Sequence, residues 1–226
     1  MMNMLEFNAI TVTGSDALKF LQGQLTCDMK QVTTTPSLGA YCDHKGRVLT
    51  NFWIQQVADG FCLATPASLS EVTLNTLKKY GAFSQIDIHS SNQCSATIST
   101  DRLTYIEQGV AFVVAETSLL FTPQMLNWER LGGVSFSKGC YLGQEIVART
   151  QHLGKLKRHL HRVESNSTLI AAAGDKVVNT KNETIGIICD SVINNNQLTG
   201  LAVLHDQALN ERLILNGIDL RIFDAQ

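Results

Sequence analysis

Asparagine-rich turns in the last third of the sequence restrict the fold of this chain more than any other feature. Asn216-Gly217 lies between two apolar runs, and both residues tolerate the positive φ that a two-residue hairpin turn requires. Asn194-Asn195-Asn196 is a second turn signal of this kind. Short strands are predicted around these turns, over residues 175–178, 184–192, 198–204 and 213–223. This part of the chain therefore predicts a small all-β domain of the kind that forms barrels.

The residues before Gly154 mix helical and extended patterns. Helices are predicted after Asp16 and after Pro66, because each of these residues precedes apolar side chains at helical spacing. The apolar faces of these two helices are Leu18, Leu21 and Leu25, and then Leu69, Thr73, Leu77 and Tyr80. Strands are predicted over residues 38–57, interrupted by a turn at 43–46, and over 83–88, 96–100 and 110–115; a short helix is predicted over 123–131. We therefore expect an α+β domain over residues 1–154 and the β-domain over residues 155–226.

Composition and charge exclude several classes of partner. The net charge of -2 gives no general attraction for nucleic acid or for an anionic membrane. Residues 1–10 lack the basic start of a signal peptide, and no apolar run is long enough to span a bilayer. We therefore predict a cytoplasmic protein without a membrane partner, and the sequence leaves its oligomeric state open.

A glycine-rich segment around Cys140 is the strongest candidate for chemistry. Residues 132–149 contain four glycines, and a helix is predicted to start within 144–149. The charge of Lys138 and the N–H groups of this helix are expected to give Cys140 thiolate character, which suits a nucleophile, a soft-metal ligand or a redox centre. The alternative is a glycine-rich turn with an inert cysteine. The other five cysteines are expected to be buried: Cys27, Cys42, Cys62, Cys94 and Cys189.

Residues 138–145, with the sequence Lys-Gly-Cys-Tyr-Leu-Gly-Gln-Glu, resemble the K-G-C-Y-x-G-Q-E signature of the YgfZ family. Three further blocks resemble that family in the same order: residues 14–28, 43–47 and 123–127. The resemblance implies the fold of folate-dependent aminomethyltransferases, in which a folate-binding α+β domain, shortened in this chain, precedes a C-terminal β-barrel. It also implies a role in the assembly or repair of iron–sulfur proteins, including enzymes that modify tRNA.

The same resemblance implies roles for individual residues. Ile106-Glu107-Gln108-Gly109 resembles a family turn whose carboxylate holds the pterin of tetrahydrofolate or a related folate, and Phe7 falls where an aromatic side chain contacts it. Tyr141 and Arg149 are further implied folate contacts. Cys140 is implied as the catalytic thiol, or as a transient cluster ligand without a stable metal. The remaining residues of the signature are Lys138, Gly139, Gly143, Gln144 and Glu145. Without the resemblance, Glu107 would be an exposed turn residue and Phe7 a core residue.

Other candidates and functions stay open from the sequence. A basic cluster could hold a folate tail or a tRNA phosphate, or simply be a solvated strand face; its members are Lys155, Lys157, Arg158, His159, His161 and Arg162. His44 and His152 are candidate acid–base or metal groups. The expected partners are folate, iron–sulfur proteins or their assembly factors, and tRNA through a weak contact. Whether the protein is an enzyme is left open: the alternatives to an accessory factor are a tetrahydrofolate-dependent aminomethyl (one-carbon) transferase and an RNA-binding scaffold.

Overall fold

The computed structural model describes residues 4–91, 98–154 and 156–223. The first part of the chain forms an antiparallel five-stranded sheet. Its strands are β1 (Phe7–Thr13), β2 (Ser37–Cys42), β3 (Val48–Val57), β4 (Gly60–Pro66) and β5 (Asp87–Ser91). They lie in the order β2-β3-β4-β1-β5. Four helices accompany the sheet: α1 (Ala17–Gln24), α2 (Ser70–Gly81), α3 (Arg102–Glu107) and α4 (Gln144–Leu153).

The second part of the chain is a closed barrel of six strands. These are β6 (Arg158–Ser165), β7 (Lys176–Val178), β8 (Thr184–Asn194), β9 (Gln197–His205), β10 (Leu213–Leu215) and β11 (Ile218–Phe223). Both predicted turns join barrel strands, since Asn195 and Asn196 have φ of 49° and 62° and Asn216 and Gly217 have φ of 49° and 84°. The fold class predicted from the sequence, α+β followed by a β-barrel, is therefore confirmed.

The predicted apolar face of helix α1 is confirmed at Leu21 and Leu25 and wrong at Leu18. Ala17, Phe20 and Leu21 point into the core, whereas Leu18 is 40% exposed. The helix starts at Ala17, so the buried residues lie at positions i, i+3 and i+4 from its first residue and Leu18 falls outside that stripe. Helix α2 follows the prediction at Leu69, Thr73 and Leu77, and differs at Tyr80, which is half exposed in the last turn.

Several predicted strands are wrong. Residues 83–86 form a turn in which Phe83 is fully exposed, and β5 starts only at Asp87. Residues 96 and 97 lie outside the described residues, and 98–100 form no strand. The segment 110–115 is not a strand, although residues 110–113 are buried. The side chain of Asn51 takes the place of a neighbouring strand: it donates to the carbonyl of Ala111 and accepts from the N–H of Val113, each at 2.9 Å.

The predicted helix at 123–131 is a single 3-10 turn. It covers Pro123–Leu126 and ends at Asn127, whose left-handed φ of 57° stops the helix. Strands β1 and β4 were not predicted, whereas β6 begins within the basic cluster, for which a strand face was one of the predictions. The first two lie side by side inside the sheet, so their apolar runs lack the alternation that marks a half-exposed strand.

The barrel packs on the α+β part through one common core. Leu160 of β6, Val192 of β8 and Val203 of β9 belong to the same buried cluster as Tyr105 of α3 and Trp128. At the edge of this cluster Arg102 donates to Asp190 at 2.6 Å. Burial raises the pKa of the Asp190 carboxyl in spite of that guanidinium. No helix of the described residues combines the length and apolarity that crossing a membrane requires.

Candidate functional site

Residues 133–143 form a loop, called here the cysteine loop, that leads into α4. Cys140 lies near its end with an exposed, free thiol. The buried cysteines are Cys27, Cys42, Cys62 and Cys189, as expected, and Cys94 lies outside the described residues. Hydrogen bonds and close backbone contacts hold this irregular loop in one position while the thiol of Cys140 faces solvent.

The residues that follow α1 anchor the first half of the cysteine loop. Thr26 is fully buried, and its hydroxyl donates to the carbonyl of Gly133 at 2.6 Å and accepts from the N–H of Ala40 at 2.9 Å. Its carbonyl accepts from the N–H of Ser135 at 2.9 Å. Near the end of the loop, Leu142 donates its N–H to the carbonyl of Gly23 at 3.2 Å. The loop therefore lies along the C-terminal end of α1.

Lys138 anchors the middle of the loop. Its ammonium donates to the carbonyls of Leu25 at 2.6 Å and Cys27 at 2.8 Å, and lies 5.0 Å from the centre of the Tyr141 ring. A cation suits this position, since free carbonyls at the end of a helix carry partial negative charge. The expectation from the sequence placed this charge beside Cys140. The structure uses it instead to hold the loop on α1.

Burial changes the protonation of the groups beneath the loop. It lowers the pKa of the Lys138 ammonium to about 8. It raises the pKa of the Cys27 thiol to about 11, although Lys138 pulls that value down. A neutral lysine still has two N–H donors, so both carbonyls stay bonded after the proton is lost.

We expect Lys138 to make the free energy of unfolding rise with pH between pH 8 and pH 9, and Lys138→Met to remove that contribution to the slope. In the folded protein Lys138 loses its proton near pH 8, whereas in the unfolded chain it keeps the proton to about pH 10.4. In that interval the unfolded chain binds more protons, so stability increases with pH. The raised pKa of the buried Cys27, Cys42 and Cys189 thiols acts in the opposite direction, because these thiols keep their protons after the unfolded chain has begun to lose them. The contribution of Lys138 is therefore the difference in slope between wild type and Lys138→Met. Urea denaturation across this window measures the slope, with Lys79→Met, an exposed lysine of α2, as the control; equal slopes in wild type and Lys138→Met would contradict the assignment.

Two glycines join the end of the cysteine loop to the turn between β2 and β3. Gly143 has a φ of +81°, and a Cβ there would lie 2.4 Å from the carbonyl oxygen of Asp43 and 3.2 Å from the Cα of Gly46. Gly46 has a φ of +69°, and its Cβ would lie 3.2 Å from Ile146. Both positions combine left-handed backbone with close approach, so glycine is required at each. This contact is called here the glycine clamp.

Helix α4 starts at Gln144, directly after the glycine clamp, as the sequence predicts. Its Val147 is fully buried, and the carbonyl of Val147 accepts from the buried side chain of Gln124 at 2.7 Å. Glu145 and Arg149 are exposed. All four blocks that carried the family resemblance thus meet around the cysteine loop: the end of α1, the β2–β3 turn, the turn at 123–127 and the signature itself.

The other candidate residues surround a cluster of aromatic rings. The ring of Phe7 lies edge-on to Tyr105, at 6.1 Å between centroids, and to Phe112, at 4.9 Å. The indole N–H of Trp53 donates to the Tyr105 hydroxyl at 3.1 Å. Phe7 and Trp53 are half-buried, so the cluster reaches the surface of the protein. Such flat, partly exposed rings suit a planar heterocycle.

Glu107 is the last residue of α3 and is exposed. The sequence predicted a turn here and missed the helix. The signal was present in Asp101, whose carboxylate accepts from the N–H groups of Leu103 and Thr104 and so caps α3. Glu107 lies two residues after Tyr105, and side chains at that spacing point to different sides of a helix. The exposed Glu107 carboxylate therefore points to a different side of α3 from the Tyr105 ring.

The candidate folate residues fall into two groups. Phe7 belongs to the aromatic cluster and Glu107 ends α3, the helix that supplies Tyr105 to that cluster, whereas Tyr141 and Arg149 belong to the cysteine loop and α4. Tyr141 is buried, burial raises its pKa, and no described residue offers its hydroxyl a hydrogen-bond partner. A buried hydroxyl without a partner costs free energy unless a ligand or water binds it. Arg149 is exposed on α4.

The basic cluster predicted after the loop is partly neutralised. His159 pairs with Asp206 at 2.7 Å, and Arg162 pairs with Glu164 at 3.0 Å and lies over the ring of Phe223. Lys155 lies outside the described residues. His152 packs against Phe136, and His44 is exposed in the β2–β3 turn. Within the described ranges, no three His, Cys, Asp or Glu side chains come together in an arrangement that could hold a metal ion.

Thr26, Gln124 and Gly46 were not predicted as site residues, although each holds the cysteine loop or α4 in place. All three lie in blocks that resemble the family. The resemblance was the signal that could have identified them, because a buried threonine or glutamine has no distinctive pattern in the sequence.

Comparisons with known proteins agree with this geometry. No protein-family model matches the chain. It is 32% identical over 231 residues to the tRNA-modifying protein YgfZ of Colwellia psychrerythraea, covering 73% of this chain and 71% of that protein. It is 31% identical to the YgfZ protein of Vibrio atlanticus, over 74% of this chain and 70% of the relative. The structure of glycine cleavage system aminomethyltransferase T from Bartonella henselae is similar with a TM-score of 0.72, covering 98% of this chain and 84% of that one. At 10% sequence identity this last likeness concerns the fold alone.

Proposed function

Since this chain belongs to the YgfZ family, we propose that it is a folate-binding accessory protein that supports iron–sulfur proteins, among them enzymes that modify tRNA. The curated relatives are named tRNA-modifying proteins. The fold is that of an aminomethyltransferase. In this proposal Cys140 carries the chemistry, and the aromatic cluster with Glu107 binds the folate.

The observation that carries the proposal is the construction of the cysteine loop. Lys138, Thr26 and Gly143 fix its backbone from three sides, and Cys140 remains exposed. A cysteine needed only for packing would be buried, as Cys27 and Cys42 are. Thiolates are preferred ligands of iron–sulfur clusters. We propose that Cys140 acts on a client protein as a transient cluster ligand or as a thiol reagent.

Folate binding is supported by the chemistry of the residues at the aromatic cluster. The pterin ring is planar and presents N–H donors along one edge. A carboxylate accepts two such donors, so Glu107 suits that edge, while Phe7 and Trp53 offer ring surfaces. Arg149 and the hydroxyl of Tyr141 are polar groups that the glutamate tail of a folate could use. The folate supplies one-carbon chemistry or a conformational signal when it is bound.

We expect Glu107→Gln to weaken tetrahydrofolate binding by about 1–3 kcal/mol, the usual cost of losing a charged hydrogen bond. Calorimetric titration of the purified protein measures the affinity. Glu71→Gln removes an equally exposed carboxylate on α2 and should leave it unchanged. Wild-type affinity in Glu107→Gln would remove this residue from the site, and no binding by the wild type at millimolar folate would refute the folate part of the proposal.

A further inference from the structure

Two adjacent leucines are held in contact with solvent beside the β2–β3 turn. Leu119 is 43% exposed and Leu120 is 37% exposed. Leu119 also has a φ of 63°, a left-handed conformation that costs a side chain other than glycine roughly 1–3 kcal/mol. Both the exposure and the backbone conformation cost free energy in the isolated protein, so a functional explanation is needed for each.

These leucines are not on a loose loop. The N–H of Leu119 donates to the carbonyl of Val48 at 2.8 Å, and Val48 donates to Phe121 at 2.8 Å. The guanidinium of Arg47 donates to the carbonyl of Leu120 at 2.6 Å. The start of β3 therefore fixes the two leucines in an outward position.

A short series of contacts links the leucines to the cysteine loop. Arg47, which bonds Leu120, directly follows Gly46 of the glycine clamp. Cys140 is three residues from Gly143, the other half of the clamp. Three residues of chain span at most about 11 Å. A molecule resting on the leucines would therefore have the thiol of Cys140 within reach.

The same surface carries cations without acidic partners. Lys45 and Arg47 lie in the turn, and Arg149 lies on α4 three residues beyond Ile146, which contacts Gly46. Among the described residues, none of these three cations forms an ion pair, whereas the barrel cations His159 and Arg162 are both paired. The same two segments also carry the carboxylates of Asp43, which accepts from the N–H groups of the turn, and of the exposed Glu145. The three cations outnumber these two carboxylates, so the surface favours a partner with negative charge. We call these residues the hairpin surface: Lys45, Arg47, Leu119, Leu120 and Arg149.

We propose that the hairpin surface docks a client protein whose contact face combines apolar side chains with carboxylates, and so brings that client to Cys140. This inference rests on the proposed function and names where its partner binds. Cations alone would also suit RNA, but contacts to phosphates would leave the two exposed leucines without an apolar partner. Apolar contact surrounded by charge complementarity is the usual character of a protein interface, and it favours a protein over RNA.

Photo-crosslinking in cells tests this docking surface. The probe is p-benzoylphenylalanine in place of Leu119, and the control carries it in place of Leu209, which is 37% exposed on the barrel. We expect the position-119 probe to capture an acidic iron–sulfur protein and the position-209 probe not to capture it. Lys45→Glu with Arg47→Glu should reduce the yield at least about tenfold, because like charges then face each other. Lys45→Glu alone, which breaks no side-chain hydrogen bond of the described residues, should reduce it in the same direction.

Three results would overturn the docking proposal. The position-119 probe could capture only RNA, or the probes at positions 119 and 209 could capture the client equally. The third is an unchanged crosslinking yield in both charge-reversal variants, when these variants melt at the wild-type temperature. Cys140→Ser separates this proposal from the proposed function. If the crosslink persists in Cys140→Ser but that variant also restores tRNA modification, the docking surface stands and the role of the thiol fails. If Cys140→Ser abolishes function and no client is captured, the docking surface fails alone.

Discussion

Cys140→Ser is expected to reduce tRNA modification in a strain lacking the wild-type protein to the level of the empty strain. A serine hydroxyl cannot replace a thiolate as a cluster ligand or as a thiol reagent. The side chain of Cys140 is exposed, so the free energy of unfolding should change by no more than about 0.5 kcal/mol. The modified nucleosides of bulk tRNA are measured by mass spectrometry, and stability is measured by thermal melting.

The matched control is Ser137→Ala, which likewise changes a single side-chain group of an exposed residue in the cysteine loop. This variant should restore tRNA modification fully. Full restoration by Cys140→Ser would show that the thiol has no part in the function. Loss of restoration together with a lower melting temperature would contradict the expectation that Cys140 acts through its chemistry alone.

Gly143→Ala is expected to destabilise the protein by about 1–3 kcal/mol and to remove its function as well. The new Cβ would lie 2.4 Å from a backbone oxygen in the β2–β3 turn, at a residue whose φ is +81°. Backbone atoms cannot rotate away as the end of a flexible side chain can. The cysteine loop must therefore separate from the β2–β3 turn. The geometry that presents Cys140 is then lost.

Gly139→Ala is the matched control for the clamp. A Cβ at this glycine meets nothing within 4 Å, and alanine there should leave both the melting temperature and tRNA modification unchanged. If Gly143→Ala and Gly139→Ala melt alike, the glycine clamp does not hold the loop. If both lose function without loss of stability, the glycines act through flexibility or ligand access instead of through packing.

Much of the fold could be predicted from local signals in the sequence. The barrel strands and their turns were recognisable because asparagine and glycine tolerate positive φ, and the β2–β3 hairpin because its turn contains Gly46. The errors arose where distant residues decide the structure. The segment 110–115 reads as a strand, but Asn51 binds its backbone. The burial of β1 and β4 depends on strands and helices far away in the chain.

The candidate site was only partly predictable for the same reason. Cys140 and its signature were recognisable as a block, but nothing in the spacing of residues 138 and 140 shows that Lys138 turns towards α1. That direction depends on the free carbonyls of Leu25 and Cys27, more than a hundred positions earlier in the chain. The hairpin surface was not predicted because the sequence alone does not distinguish an exposed leucine from a buried one.

The core that the barrel shares with the α+β part makes the two halves of the chain one thermodynamic system. Val192 and Val203 can leave water only if Tyr105 and Trp128 are already in place, and the reverse is equally true. A folate bound at the aromatic cluster would therefore raise the free energy needed to open the barrel, by linkage and without touching it. If folate binds as proposed, the stability of the barrel should therefore report how much of the protein carries the ligand.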